Sequence, residues 1–410
     1  MIVGSPDMPD FAGDGAEFLD ELVELRREIH QDPELGLDNP RTQKRILDAL
    51  EGLPLEITLG KDLTSVVAVL RGGKPGPNVL LRGDTDGLPV KEQTGLPYAA
   101  TGDTMHACGH DMHTAGLVGA AKILSKYQDE IPGNVIFMFQ PGEEGYGGAK
   151  IMIDEGVLDV AGDRPIGAYA IHVAPGPRGI LATRQGSAAA GSNRLKAVIK
   201  GRGGHGSQPH LAIDPVPAAA DAILAIQAFV TRKMDAFDPV VVSITQVSTG
   251  DNPPNVIPEK VTLGATIRSL TPQSLKRISE GLVNTIKATA AAHECQADVD
   301  FQVLYPSTIN TFEETEMSIT DVRSVLGSHR VHIAPSPMMG SEDFAFVLEE
   351  VPGTFFGMFV TPADMAASKA EFNHSPRFVA DDSVLGDQAA ALAAMAYGRL
   401  AREEREQAAK

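Results

Sequence analysis

The sequence predicts an α/β protein with a mostly parallel sheet and a smaller α+β domain inserted into it. Three observations support this prediction. Apolar runs alternate with amphipathic segments up to about residue 185, alternating strand patterns follow residue 186, and the first pattern returns near residue 305. The sequence therefore predicts a discontinuous catalytic domain over residues 1–188 and 305–410, and a lid or dimerisation domain over residues 189–304.

Helices and strands alternate along the first domain. Helices are expected over 17–30, 41–50, 114–127 and 383–405, and strands over 65–70, 78–81, 134–139 and 168–173. The run 134–139 (NVIFMF) carries no charge, which is typical of a strand buried on both faces. Ligands bind outside the carboxyl ends of the strands in such sheets. We therefore expect the polar residues that follow these strands to form a site.

The inserted domain begins after a flexible segment, 186–193 (GSAAAGSN). Strands are expected over 194–200, 240–247, 260–268 and 297–304, and helices over 215–231 and 274–292. Polar and apolar residues alternate in the first of these strands, which indicates a sheet with one exposed face.

Composition excludes several classes of protein. Hydrophobic residues make up 43% of the 410 residues, enough to build a core, and the net charge of −19 disfavours a nucleic-acid partner. No apolar stretch approaches the ~20 residues that a membrane span needs. Residues 1–18 lack the basic start and apolar run of a signal peptide. With only two cysteines, Cys108 and Cys295, we expect a reducing compartment and a cytoplasmic protein.

The segment HACGHDMH concentrates potential metal ligands. It holds His106, Cys108, His110, Asp111 and His113 within eight residues, in a chain with 11 histidines. Thiolate and imidazole groups suit Zn²⁺ and neighbouring transition metals. The alternative is a polar helix N-terminus with a buried thiol, which the combination of cysteine and histidines disfavours. The segment therefore predicts a metal site just before a helix.

The segment QPGEEG places Glu143 and Glu144 side by side after a buried strand. If the two side chains point apart, one carboxylate can bind a metal while the other faces a water molecule. Metal-assisted hydrolysis needs this combination of a Lewis acid and a general base. A solvated acidic turn is the alternative, and the motif alone does not exclude it.

Other polar residues gain meaning only in combination. His172 ends the strand AIHV, and His374 lies in the polar segment NHSPRF. Asp84 and Asp86 follow a strand, where carboxylates commonly orient metal-binding imidazoles. His205 lies in a glycine-rich loop of the inserted domain. Each has an ordinary alternative. His172 would then be a core histidine and His374 a surface histidine, while the two aspartates would belong to a polar turn and His205 to a hairpin turn.

Taken in order, nine motifs resemble those of one family of metal-dependent amidohydrolases. The family contains hippurate hydrolase, plant indoleacetyl-amino-acid hydrolases and bacterial aminoacylases, and more distantly includes carboxypeptidases. The motifs are RREIHQDPELG, RGDTDGLP, HACGHDMH, QPGEEG, AIHV, GRGGHGSQPH, NVIP, SEDF and HSPRF. The chain departs from the family at Thr85 and Gly87, where Met and Ala are usual, and at Gly142, where Ala is usual. These positions bear on substrate preference and remove no expected ligand.

The resemblance implies two divalent ions per subunit. The implied metal ligands are Cys108, His110, Glu144, His172 and His374. Cys108 would bridge the ions, Glu144 and His374 would complete one metal, and His110 and His172 would complete the other. Cysteine ligation favours Zn²⁺, with Mn²⁺ as the alternative.

The resemblance also assigns roles outside the metal pair. Glu143 would be the general base, and the residue pattern itself suggests that Asp84 supports a ligating imidazole. His205, Asn255, Arg268 and Gly340 would contact the substrate, with Gly340 using its backbone. The inserted domain would form a homodimer, or a tetramer built from such dimers, in which the loop of His205 reaches the neighbouring subunit.

The sequence therefore predicts an enzyme that hydrolyses the amide bond of N-acyl amino acids. An N-acetyl-diaminopimelate-type deacetylase would use the same site with different substrate pockets. A non-catalytic metal-binding regulatory protein is the rival from another class. Glu143 disfavours that rival, because a structural metal site gains nothing from a second carboxylate beside its ligand.

Overall fold

The computed structural model describes residues 6–409 of the chain. Its helices are α1 (Phe11–His30), α2 (Pro40–Leu50), α3 (His110–Lys126), α4 (Gly148–Asp154), α5 (Pro215–Lys233), α6 (Pro272–Ala292), α7 (Phe312–Leu326), α8 (Ala345–Glu350) and α9 (Leu385–Ala408). Its strands are β1 (Leu55–Leu59), β2 (Val66–Arg71), β3 (Lys74–Asp84), β4 (Pro132–Gln140), β5 (Gly167–Ala174), β6 (Leu181–Thr183), β7 (Gly186–Ala189), β8 (Gly191–Lys200), β9 (Gly204–His205), β10 (Val241–Ser248), β11 (Val256–Ile257), β12 (Lys260–Ser269), β13 (Gln296–Tyr305), β14 (Thr308–Asn310), β15 (Val331–Ile333) and β16 (Gly353–Phe359).

The chain divides into two compact units. The second unit comprises Ala189–Thr308 and Pro337–Glu342, and the first comprises the remaining described residues. The sequence instead predicts residues 305–308 and 337–342 in the first domain. The boundary differs because Tyr305 still pairs with Ser192 at the end of β13, and because the backbone of Met338 pairs with Ala189.

An eight-stranded sheet organises the first unit. Its strand order is β1-β2-β4-β3-β5-β16-β6-β15. The four central strands, β4, β3, β5 and β16, run parallel to one another, whereas β1, β2 and β6 pair antiparallel with a neighbour. The sheet is therefore mixed, and the predicted parallel arrangement holds for its central part.

Apolar layers cover both faces of this sheet. In β4, Val135, Phe137 and Phe139 face one hydrophobic cluster, and Ile136 and Met138 face the other. The first cluster includes side chains of α1, α3 and α9, and the second includes side chains of α4 and α8. The uninterrupted apolar run of β4 follows from this burial on both faces.

The helix ends follow local backbone rules. Helix α1 begins at Phe11, earlier than predicted, and the Asp10 side chain caps it by accepting from the Gly13 amide. Helix α3 begins at His110 after Gly109, whose φ of 90° suits glycine. Within residues 6–409, no helix is both long and apolar enough to span a bilayer.

The second unit is a four-stranded antiparallel sheet with two helices. The strand order is β10-β12-β8-β13, and the unit's hydrophobic cluster joins the inner faces of these strands to α5 and α6. Buried and less buried residues alternate along β8 and β12. This alternation confirms the predicted one-faced strand pattern over 194–200.

Gly15 provides a test of helix packing in the first unit. A Cβ atom at Gly15 of α1 would lie 2.3 Å from the backbone oxygen of Gly386 in α9. We expect Gly15→Ala to destabilise the protein by about 1–3 kcal/mol because the helices must separate. Without a packing clash, alanine stabilises a helix by ~1 kcal/mol relative to glycine. A destabilising effect of Gly15→Ala would therefore point to the contact between the helices. Thermal unfolding measures the effect.

Gly102→Ala is the control, because the nearest non-neighbouring atom lies 3.9 Å from the added Cβ. This variant should unfold at the wild-type temperature. A Gly15→Ala protein as stable as the wild type would contradict the packing argument.

Candidate metal centre

The polar cluster lies where the central parallel strands end. Asp84 is the last residue of β3, Glu143 and Glu144 follow β4, and His172 lies near the end of β5. Cys108 directly precedes helix α3 and lies in the same cluster. Parallel strands bring their carboxyl ends to one edge of the sheet, so residues distant in sequence converge there.

Two sets of side chains share Cys108. One contains Cys108, His110 and His172, and the other contains Cys108, Glu144 and His374. In each set, one potential ligand atom per residue lies within 4.8 Å of the others. Cys108 Sγ lies 3.4 Å from His172 Nε2 and 3.3 Å from His374 Nε2, and the latter nitrogen lies 3.1 Å from Glu144 Oε1. The structure therefore brings the five predicted ligands together.

The chemistry of this cluster fits a divalent cation. His110 is fully buried, and neither of its ring nitrogens makes a well-aligned hydrogen bond within residues 6–409. Its Nδ1 lies 3.4 Å from Asp86 Oδ1, and its Nε2 lies 3.6 Å from Asp84 Oδ2. Burial raises the pKa of the Cys108 thiol to about 12, so a nearby cation is needed to keep it as a thiolate. Thiolate, imidazole and carboxylate groups together are a donor set that suits zinc.

The surrounding charges also favour a cation. Burial alone would lower the pKa of His110, but Asp84 and Cys108 raise it well above its usual value. Burial lowers the pKa of His172, and neighbouring His113 lowers it further, so this ring is neutral. Neutral imidazole is the form that binds metals. His172 is thus ready to act as a ligand, and the acidic surroundings of His110 stabilise positive charge.

Asp86 holds the turn that carries the two glutamates. Its carboxylate accepts from the backbone amides of Glu143 at 3.0 Å and Glu144 at 3.1 Å. The two side chains do not point apart as the sequence interpretation assumed, because an oxygen of each lies within 4.8 Å of a His110 ring nitrogen. The turn curls both carboxylates toward the cluster, and Glu143 is buried there.

Asp84 anchors His113, a supporting residue to which the sequence assigned no separate role. The backbone amide of Val173 donates to His113 Nε2 at 2.8 Å, so His113 carries its proton on Nδ1 and donates it to Asp84. Asp84 Oδ2 also lies 3.6 Å from His110 Nε2. Burial would raise the pKa of Asp84, but Arg82 and the two imidazoles hold it well below its usual value.

Arg82 and Asp343 complete a buried network that the sequence reasoning missed. Arg82 donates to Asp84 at 2.6 Å and to Asp343 at 2.8 Å. The side-chain amide of Gln140 also donates to Asp343, at 2.9 Å. All four side chains are buried. An arginine at the end of an apolar strand was the available sequence signal.

Asp111 and His106 lie outside the two ligand sets described above. Asp111 accepts from His30 Nδ1 at 2.8 Å and lies 2.6 Å from Arg26 Nε, while His30 Nε2 lies 3.2 Å from Glu92. Burial lowers the pKa of His106 to about 3, which keeps this ring neutral. Arg26 and His30 of the motif RREIH therefore hold Asp111 in place directly after His110.

The predicted substrate contacts lie in the second unit. His205 in β9 is exposed and pairs in register with Val256 of β11, beside Asn255. Arg268 in β12 is half-buried and donates to Ser192 Oγ at 2.9 Å and Thr266 Oγ1 at 3.0 Å. The structure thus brings His205 and Asn255 close together, because Asn255 directly precedes β11 and its backbone oxygen accepts from the Gly206 amide at 2.8 Å.

Gly340 lies in the segment 337–342 of the second unit and is exposed. A Cβ atom added at Gly340 would meet no described atom within 4 Å. There is therefore space beside this position, and the substrate-binding role of Gly340 stays a prediction.

The profile of Peptidase family M20/M25/M40 matches residues 80–397, and the chain belongs to this family. The chain is 36% identical over 386 residues to IAA-amino acid hydrolase ILR1-like 5 of Arabidopsis thaliana, which covers 93% of this chain and 87% of that protein. It is 36% identical over 344 residues to N-acetyldiaminopimelate deacetylase of Geobacillus sp. (strain WCH70), covering 83% of this chain and 89% of that protein. These matches confirm the resemblance inferred from the motifs.

A solved structure shares the fold. The YXEP protein of Bacillus subtilis, described as a dinuclear metal binding peptidase from the M20 family, superposes with a TM-score of 0.82 at 31% identity. The match covers 94% of this chain and 99% of that one.

The buried ion network around His30 gives a pH-dependent prediction. Burial alone would lower the pKa of His30, but Asp111 and the hydrogen bonds to Asp111 and Glu92 raise it above its usual value. The stabilisation is therefore fully present below the unfolded-state pKa of ~6.5 and is lost as pH rises through the folded-state value. We expect His30→Gln to destabilise the protein more at pH 6 than at pH 10.

Denaturant unfolding of both proteins at several pH values measures this difference. His293→Gln is a control, because His293 faces Asp221 on the partly exposed surface of the second unit. A destabilisation by His30→Gln that stays constant with pH would show that His30 contributes only packing.

Proposed function

We propose that this protein is a metal-dependent amidohydrolase that cleaves N-acyl amino acids into a carboxylic acid and a free amino acid. The convergence of five potential ligands, Cys108 and four residues around it, with the buried carboxylate of Glu143 beside them, carries the proposal. The names of the two relatives, an IAA-amino acid hydrolase and an N-acetyldiaminopimelate deacetylase, support the same reaction class. Glu143 disfavours a purely regulatory metal-binding role.

Two divalent ions would be held by the two sets of side chains. Cys108 would belong to both, with Glu144 and His374 completing one set and His110 and His172 the other. The dinuclear metal peptidase of Bacillus subtilis supports two ions. The thiolate ligand favours Zn²⁺ over Mn²⁺. The free thiols of Cys108 and Cys295 support the cytoplasmic location that belongs to this proposal.

When bound, the metal ions would polarise the amide carbonyl and make a water molecule easier to deprotonate. Glu143 would accept the proton of that water on its carboxylate and then donate it to the nitrogen of the leaving amine. The amides of Glu143 and Glu144 are held by Asp86, which fixes the position of the base next to the ligand. His205 would stabilise the negative charge that develops on the carbonyl oxygen.

Arg268 and Asn255 would bind the carboxylate of the substrate, and Gly340 would contribute its backbone. The guanidinium of Arg268 donates to hydroxyl and carbonyl groups and makes no salt bridge within residues 6–409. Its positive charge therefore remains available for a substrate carboxylate, which an arginine can bind through two parallel hydrogen bonds. Such a local charge is needed in a protein with a net charge of −19.

The second unit would also form a homodimer. Strand β10 lies at the edge of its sheet, where backbone groups are open to another strand. Val241, Val247, Leu224 and Phe237 are exposed in this unit, and Phe237 is 98% exposed. A two-fold dimer would cover apolar surface of this kind, and a tetramer of such dimers is the larger alternative.

A substrate screen tests the proposed reaction. Acetyl-, benzoyl- and long-acyl amino acids are incubated with the protein reconstituted with Zn²⁺ or Mn²⁺, and the free amino acid is measured. We expect hydrolysis that chelation abolishes while circular dichroism shows a retained fold, because the ligands extend from a large α/β core. Equal turnover in the metal-free protein, or none with any acyl amino acid, would contradict the proposal.

The two glutamates should respond differently to substitution. We expect Glu143→Gln to retain both metals and lose about 10²-fold or more of the activity, the scale of a lost general base. Glu144→Gln should instead weaken metal binding. Elemental analysis and turnover of both variants measure these effects. If Glu143→Gln is the variant that loses metal, the two roles are reversed.

Subunit mixing tests whether His205 completes the site of a neighbouring subunit. Glu143→Gln and His205→Ala proteins are dissociated and reassociated together. Each parent should be nearly inactive, and half of the randomly paired dimers would contain one intact site. Roughly a quarter of wild-type activity should therefore return. Activity that stays at the parental level despite verified exchange would show that His205 serves its own subunit.

A further inference from the structure

Four separate segments supply the ligand cluster; Glu144 follows β4, and the other three segments carry Cys108, His172 and His374. Cys108 precedes α3, His172 lies in β5, and His374 lies in the loop between β16 and α9. The backbone of His374 has φ of 72°, a left-handed conformation that non-glycine residues adopt only when the surroundings hold them there. Something must therefore fix this loop against the segments of Cys108 and His172.

Asn373 makes that connection. Its Nδ2 atom donates to the backbone oxygen of Cys108 at 2.9 Å and to that of Val173 at 3.0 Å. Carbonyl oxygens only accept hydrogen bonds, so the amide nitrogen must face them, and both of its N–H groups are used. The backbone amide of His374 adds a third link by donating to Ala107 at 2.8 Å. The loop is thus tied to both other segments.

The contact with Val173 also reaches the ring of His172. His172 Nδ1 donates to the same Val173 oxygen at 2.8 Å. The proton of the neutral ring therefore lies on Nδ1, and the Nε2 lone pair is left on the side of Cys108 Sγ. By holding this carbonyl in place, Asn373 maintains the acceptor that sets the tautomer of His172.

We propose that Asn373 is a positioning residue for the metal pair. It aligns Cys108 and His172 through its hydrogen bonds to the Cys108 and Val173 carbonyls, and it aligns His374 because it directly precedes that residue. It does not itself bind a metal. This inference rests on the proposed function, because it requires that the cluster binds metal ions. Asn373 is half-buried in a loop, so its substitution leaves the hydrophobic core untouched.

Two variants separate hydrogen bonding from packing. Asn373→Asp keeps the size of the side chain but replaces the donor by an oxygen that repels both carbonyls, and Asn373→Ala removes the side chain. Asn252→Asp is the matched control. Asn252 Nδ2 donates to the backbone oxygen of Thr249 at 2.8 Å, and Asn252 is exposed in the second unit, outside the ligand cluster.

The metal-free full-length proteins are titrated with Co²⁺, and the thiolate-to-cobalt absorption band is followed. We expect both Asn373 variants to bind Co²⁺ ~10–100-fold more weakly, with an altered band, since supporting contacts of metal ligands have effects of this size. Asn252→Asp should bind Co²⁺ like the wild type. Circular dichroism of the metal-free proteins should show the same fold in all four.

The possible failures are distinguishable. If the wild type itself binds no Co²⁺, the proposed function fails. If the wild type binds and both Asn373 variants match its affinity and spectrum, the positioning role fails while the proposed function stands. An equal loss of affinity in Asn252→Asp would show that the effect is not specific to Asn373 and would also overturn the inference.

Discussion

The burial of carboxylates around the ligand cluster is the constraint on which the first unit depends. Asp84, Asp111 and Asp343 are each fully buried or nearly so, and an uncompensated buried charge is strongly destabilising. Arg82 lies between Asp84 and Asp343, and Arg26 pairs with Asp111. The arginines stabilise the carboxylates, and the carboxylates in turn hold imidazoles in fixed positions. The ligand cluster is therefore built on a set of buried ion pairs.

Local patterns in the sequence were enough to find the central strands and part of the site. A charge-free run predicted β4 because both of its faces are covered, and the density of ligands in one short segment pointed to Cys108 and His110. His172 and His374 are different, because a single histidine in an apolar or polar segment carries little signal. Only the resemblance of the surrounding motifs connected them to the cluster.

Contacts between distant residues could not be predicted in this way. Arg82 and Asp343 are separated by 261 positions, and nothing near either residue indicates the other. Asp86 accepts hydrogen bonds from two backbone amides, and Asn373 donates to two backbone carbonyls. Both depend on turns whose backbone geometry cannot be predicted from a periodic sequence pattern. The same holds for segment 337–342, which joins the second unit through a backbone pairing of Met338 with Ala189.

Helix α9 has a consequence for the order in which a nascent chain acquires its structure. It is rich in buried alanines and packs against α1, α3 and α7, so the core of the first unit needs residues 385–408. The second unit, by contrast, ends at Glu342. During translation all residues of the second unit are therefore synthesised before the first unit is complete. At that stage α1 and α3 still expose the apolar faces that α9 will cover. Chaperones that bind such faces would act on the amino-terminal half of the chain until synthesis is nearly complete.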